Sequence, residues 1–143
     1  MKKAIAPVSV ILGTIFYFTV MAYVHADENK KIVLQISDGS EEKQALVLSV
    51  ADNLTRKYGD SATIEVVAFG PGLRMLLNNN LHDAHISELA EKGIRFSACR
   101  NTYRKMNKML GKEQSLHKYA TEVEGGANRI IELVGQGYIL LHP

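Results

Sequence analysis

Gly93-Ile94-Arg95-Phe96-Ser97-Ala98-Cys99-Arg100-Asn101-Thr102 is the stretch from which the fold can be reasoned. A glycine stop is followed by Ile94–Ala98, a run of the length and apolarity of a buried strand. That run leads straight into Cys99, and Asn101 or Thr102 can cap a helix whose inner face is Tyr103, Met106 and Leu110. A strand passing directly into a helix is half of a strand–helix–strand unit, so the flanking sequence should repeat the alternation.

It does on both sides. Upstream, Lys31–Ile36 is a continuous apolar run ended by the turn cluster Ser37-Asp38-Gly39-Ser40. Ser40 can N-cap the next segment, with Glu41 and Glu42 placed at the positive helix end. Val47, Val50, Ala51, Leu54 and Tyr58 then recur at helical spacing, and Gly59 is a stop. Ala62–Ala68 reads as a second strand, closed by Phe69-Gly70-Pro71-Gly72. Leu73–Leu77 has the length of a short helix, and Ile86, Leu89 and Ala90 mark a further helical face.

Downstream, Lys118–Val123 is a weaker strand. Gly125-Gly126 precedes an apolar stripe at Ala127, Ile130, Ile131 and Val134, and Tyr138–Leu141 is a last strand. Short apolar strands alternating with amphipathic helices predict a three-layer α/β/α domain around a mostly parallel sheet of about five strands. In such folds ligands bind beyond the carboxyl ends of the strands. Those ends carry Ser37-Asp38-Gly39, Gly70-Pro71-Gly72, Cys99-Arg100-Asn101 and Gly125-Gly126.

The N-terminus differs in kind. Lys2 and Lys3 precede an uncharged apolar stretch, Ala4 to Val24, which ends in Tyr23-Val24-His25-Ala26 before Asp27-Glu28. Val24 and Ala26 suit the −3 and −1 positions of a signal-peptidase site, so residues 1–26 are expected to be a cleaved signal peptide and 27–143 a single domain. The alternative is a retained membrane anchor, for which roughly 20 apolar residues suffice. Either way the domain is expected to be exported, to the periplasm, with a membrane as partner only if the anchor stays.

Lys2 and Lys3 account for the whole formal charge of +2, since removing them from 17 Lys+Arg leaves 15 against 15 Asp+Glu. A neutral domain without Trp lacks both the basic stripe and the stacking surface that nucleic acid would require. A single cysteine excludes an intramolecular disulfide framework and any multi-cysteine zinc or iron–sulfur site within one chain.

That cysteine is the sharpest chemical feature. At a strand end opening a helix, Cys99 is favoured as thiolate by the helix amides, with Arg100 and Arg104 adding positive charge. A thiolate there can attack sulfane sulfur, carry a persulfide or form a mixed disulfide. The plainer alternative is a buried cysteine acting as a small apolar residue. His82 and His85, three apart, offer a weak metal pair, but two histidines do not close a coordination shell. Gly70-Pro71-Gly72 lacks both dinucleotide-fingerprint and P-loop spacing and reads as a tight strand-to-helix turn. Met75, Met106 and Met109 read as core packing.

Four segments together resemble the DsrE/DsrF-like sulfur-relay family: Ile32–Asp38, Val66–Leu73, Gly93–Thr102, and Gly125 through Tyr138-Ile139-Leu140. The resemblance spans about residues 31–143, and its most specific parts are the Gly-Pro-Gly turn and the Cys-x-Asn-Thr segment. It implies the same three-layer fold, assembly into homotrimers or hexamers, and a cysteine after the third strand that accepts sulfur as a persulfide and passes it to a partner; no cofactor is expected. By position that residue is Cys99, supported by Arg100, Asn101, Thr102 and Arg104, with Asp38, Gly70 and Gly72 around the same strand ends. Sulfur-relay members are cytoplasmic, whereas this chain carries an export segment and looks more like an exported branch. The functional expectation is a sulfane-sulfur carrier or transferase with a donor or acceptor protein; the alternative is a non-catalytic oligomeric binding or scaffold module with a structural Cys99.

Overall fold

The computed structural model describes residues 29–143, so the expected signal peptide or anchor lies outside the described residues. Five strands alternate with helices: β1 (Lys30–Ile36), α1 (Glu41–Tyr58), β2 (Ala62–Ala68), a 3-10 segment (Gly70–Leu76), α2 (Asp83–Glu91), β3 (Arg95–Cys99), α3 (Arg100–Leu110), β4 (Ala120–Val123), α4 (Gly126–Gly135) and β5 (Ile139–Leu141). All pairings within the sheet are parallel, in the order β4-β3-β2-β1-β5. Ser40 caps α1 as expected, its side chain accepting from the Lys43 N–H.

The period-2 alternation of the strands divides the core in two. Ile32, Leu34, Ile36, Ile64, Val66, Ala68, Phe96 and Ala98 face the larger cluster with Val47, Leu48, Leu73, Ile86 and Leu89, and Tyr103 and Met106 of α3 pack against it. Val33 and Val67 face the opposite way, onto Ile130, Leu133 and Tyr138, with Phe69 alongside. Thus α1, α2 and α3 cover one face of the sheet, and α4 covers the other. A three-layer α/β/α domain is the result.

Several local expectations change. The segment after the Gly-Pro-Gly turn is a 3-10 helix beginning at Gly70 rather than a helix from Leu73. Gly72 is held against β1 so closely that a Cβ there would sit 2.5 Å from the Ile36 carbonyl oxygen. The expected inner face of α3 stops short: Leu110 is 54% exposed, and Met109, read as core, is 76% exposed. On α4 the buried residues are Gly126, Ile130 and Leu133, whereas Ile131 and Val134 of the expected stripe face outward. The helix is covered on one side only, which narrows its apolar contact to a thinner strip than the sequence pattern offers.

No helix among the described residues is long and apolar enough to cross a membrane.

Candidate functional site at the carboxyl ends of β3 and β4

The topology singles out one place on the sheet. β3 leaves into α3 on one face, while its neighbour β4 leaves into α4 on the other. Adjacent strands whose connections diverge in this way open a crevice between their carboxyl ends, where ligands of open α/β sheets bind. Cys99, paired with Val123 of β4, is the last residue of β3 and lies at that divergence.

The helix starts earlier than the Asn101 or Thr102 cap expected from sequence. Cys99 itself is the N-cap of α3, with extended backbone, and as a neutral thiol it accepts no hydrogen bond of capping geometry from the helix amides. A neutral thiol is a weak acceptor, but a thiolate is a strong one. Burial pushes the Cys99 thiol up. The Thr102 hydroxyl and the backbone N–H groups of Thr102, Gly126 and Asn101 outweigh it and hold the group below its ordinary value. Asn101 and Thr102 belong to the first turn of α3, and Gly126 is the first residue of α4, so the amino ends of two helices converge on one sulfur. Only 5% of Cys99 is exposed.

Thr102 has a second bond: its Oγ1 accepts from the Gly70 N–H at 3.0 Å, tying the Gly-Pro-Gly turn to the thiol site. The structure therefore brings Cys99, Asn101, Thr102 and Gly70 together and holds Gly72 behind them against β1. It assigns the arginines differently. Arg100 Nε pairs with Glu122 Oε2 at 3.2 Å on the edge strand, and Arg104 is exposed. The groups beside Cys99 that favour the thiolate are N–H and O–H donors, while the Arg100 guanidinium is engaged by Glu122. Asp38 is exposed at the end of β1, where the Ser40 backbone N–H donates to it at 2.8 Å and holds its carboxyl below the usual range.

His82 and His85 lie at the start of α2, where burial first, and His85 second, push the His82 imidazole down, against an opposing pull from Glu41. His82 Nε2 is buried with no hydrogen-bond partner. Among the described residues no three or more His, Cys, Asp or Glu side chains are grouped to hold a metal ion.

One cluster was not read from sequence. Glu65, in the middle of β2 and 1% exposed, accepts from Arg129 Nε at 2.7 Å and from Arg129 Nη2 at 2.9 Å. Ser97 Oγ donates to it at 2.7 Å, and Arg95 Nη2 lies 3.1 Å away while also reaching the Tyr138 hydroxyl at 2.6 Å. Burial pushes the Glu65 carboxyl up, but the Arg129 and Ser97 bonds dominate and hold it below its ordinary value. Arg129 stands three positions after Gly126, so this fork fastens the first turn of α4, the turn that presents the Gly126 N–H to Cys99. Glu65 interrupts a largely apolar run, but nothing in the local sequence names Arg129, on a distant element, as its partner.

Fold and site together define an α/β domain with one thiol at a topological switch point. No family model matches this chain, and no curated protein matches it significantly. Among solved structures it is similar to MTH1491 from Methanobacterium thermoautotrophicum, a protein of unknown function, at 29% identity and a TM-score of 0.72, covering 80% of this chain and 99% of that one. BT1422 from Bacteroides thetaiotaomicron, a conserved protein of unknown function, shares the fold at a TM-score of 0.59 and 14% identity, over 82% of this chain and 98% of that one.

Proposed function

We propose that the chain is an exported DsrE-like sulfane-sulfur carrier in which Cys99 accepts and hands on sulfur as a persulfide. The observation that carries this reading is the convergence of the α3 and α4 amino ends on the Cys99 sulfur. In the loading step the Cys99 thiolate attacks the outer sulfur of thiosulfate, forming a sulfur–sulfur bond. The bond to the sulfonate breaks, and sulfite leaves with the electron pair. The resulting Cys99 persulfide anion keeps the same donors, Thr102 hydroxyl included. Unloading is the reverse transfer, to a thiolate on an acceptor protein. The proposal includes a periplasmic domain 27–143 freed of its signal peptide and assembled as a homotrimer or hexamer.

Purified protein incubated with thiosulfate or polysulfide and weighed intact should gain sulfur in steps of about 32 Da, absent in Cys99→Ser. No gain with any donor sinks the proposal. The low exposure of Cys99 favours one second reading, an oligomeric binding or scaffold module in which the thiol is structural. A thiol reagent that labels the denatured chain and not the native one selects that reading.

A further inference from the structure

A concave groove of about 730 Å³ runs between α3 and the loop that follows the 3-10 segment. That volume falls in the range of small-molecule sites, roughly 300–1,000 Å³. Its walls are apolar at Leu77, Met106, Met109 and Leu110, two of which are exposed to an extent unusual for side chains of that size. Arg74 and Lys105 also line it, and no carboxylate does. Neither cation has an ion pair or side-chain hydrogen bond among the described residues, in contrast to Arg56, Lys92, Arg95, Arg100 and Arg129, each paired with an acid. α3 itself contains Arg100, Arg104, Lys105 and Lys108 and no acid.

An apolar trough with two unpaired cations and no negative charge complements one class of molecule. We infer that this groove binds a small amphipathic anion, a sulfonate or carboxylate on a short hydrocarbon body, with the head group at Arg74 and Lys105 and the body along Met106, Met109 and Leu110. The inference is independent of whether Cys99 reacts. The groove does share Gly70 and Thr102 with the thiol site, so an occupant lies beside the hydroxyl that faces Cys99.

Titration calorimetry with octane-1-sulfonate, with octyltrimethylammonium, and with the uncharged octyl glucoside, all below micelle formation, tests it. Octane-1-sulfonate should bind with one site per chain, about tenfold more tightly than either control, the advantage expected of two solvated ion pairs. Arg74→Gln with Lys105→Gln should erase that preference, and Met109→Glu, at an exposed position that leaves the core intact, should remove binding. Equal binding of the three amphiphiles overturns the inference, as does an affinity untouched by the paired substitution. It is equally overturned if octane-1-sulfonate fails to bind and Met109→Glu turns an oligomer into monomers by sedimentation, since a second copy then fills the groove.

Discussion

Removing the Arg129 guanidinium isolates a carboxylate that has almost no contact with water, and the cost can be worked from the geometry around Glu65. In Arg129→Met the hydrocarbon stem is kept, but the two bonds to the Glu65 oxygens at 2.7 and 2.9 Å are lost. Glu65, 1% exposed, keeps only Ser97 and the more distant Arg95, whose side chain is 51% exposed and correspondingly screened. Breaking a buried pair from one side costs about 3–5 kcal/mol, a large part of the roughly 5–15 kcal/mol that holds a domain together. Arg95→Met removes a half-solvated partner and one bond to Tyr138, and should cost about 1 kcal/mol.

The pH dependence gives the sharper check. In the native protein the Glu65 carboxyl lies below its ordinary 4.5, so its stabilising contribution is complete above that value and is lost as pH falls through the depressed one. In Arg129→Met only Ser97 and the screened Arg95 oppose burial, which pushes the carboxyl up relative to the native protein, so the destabilised variant takes up a proton more readily as pH falls and recovers. The difference between the two proteins should be greatest near neutrality and shrink as pH falls toward the ordinary carboxylate range. Urea unfolding at a series of pH values, with the slope m checked for constancy, measures this directly. Equal costs for Arg129→Met and Arg95→Met, or a difference that does not vary with pH, would refute the reasoning.

Thr102→Val removes the hydroxyl from the Cys99 sulfur and leaves the Gly70 N–H without its acceptor; iodoacetamide alkylation near neutral pH should slow by about tenfold, the worth of one bond to a charged group, while Arg104→Gln changes little. Raising salt from 0.1 M to 1 M should leave that alkylation rate unchanged, because buried N–H groups beside the sulfur are not screened as exposed guanidinium charges are; a marked fall would return the arginines to the site. Gly126→Ala sets a Cβ 2.7 Å from Phe69 Cβ and should cost about 1–3 kcal/mol in thermal or urea unfolding, since that contact lies in the packed layer under α4. His82, held down by burial, binds its proton more readily when unfolded, so stability should begin to fall as pH drops below about 6.5; His82→Gln should flatten that slope.

The alternating strand pattern was readable because parallel strands buried on both faces are short and almost wholly apolar, and β2 was bounded correctly at both ends. Cys99 at the end of β3 was readable for the same reason. What surrounds it was not. Sequence neighbours suggested Arg100 and Arg104, yet a side chain one residue into a helix points where the helix turns it, and Arg100 turns to Glu122 on the edge strand. The Gly126 N–H reaches the sulfur only because β4 lies beside β3 and its connection crosses to the opposite face, a fact of topology that no local window contains. Met109 and Leu110 misled in the other direction, since helical periodicity cannot distinguish a core face from a groove wall.

The burial of the thiol and the placement of donors around it have a common origin in that divergence of chain paths. Because α3 and α4 depart from neighbouring strands to opposite faces, their first turns close over the strand ends, covering Cys99 and aiming N–H groups at it in the same movement. The covering removes water, which would disfavour a thiolate, while the donors supply what water would have given. Their orientation depends on how firmly each helix is fixed, and the two are fixed by different means. Thr102 joins α3 to the Gly70 turn, and the Glu65–Arg129 fork joins α4 to the middle of β2. A carboxylate buried at the far side of a strand therefore acts on the thiol through the position of one helix. Loss of Arg129 should accordingly slow Cys99 alkylation as well as destabilise the fold, whereas a packing defect elsewhere under α1 should do only the second.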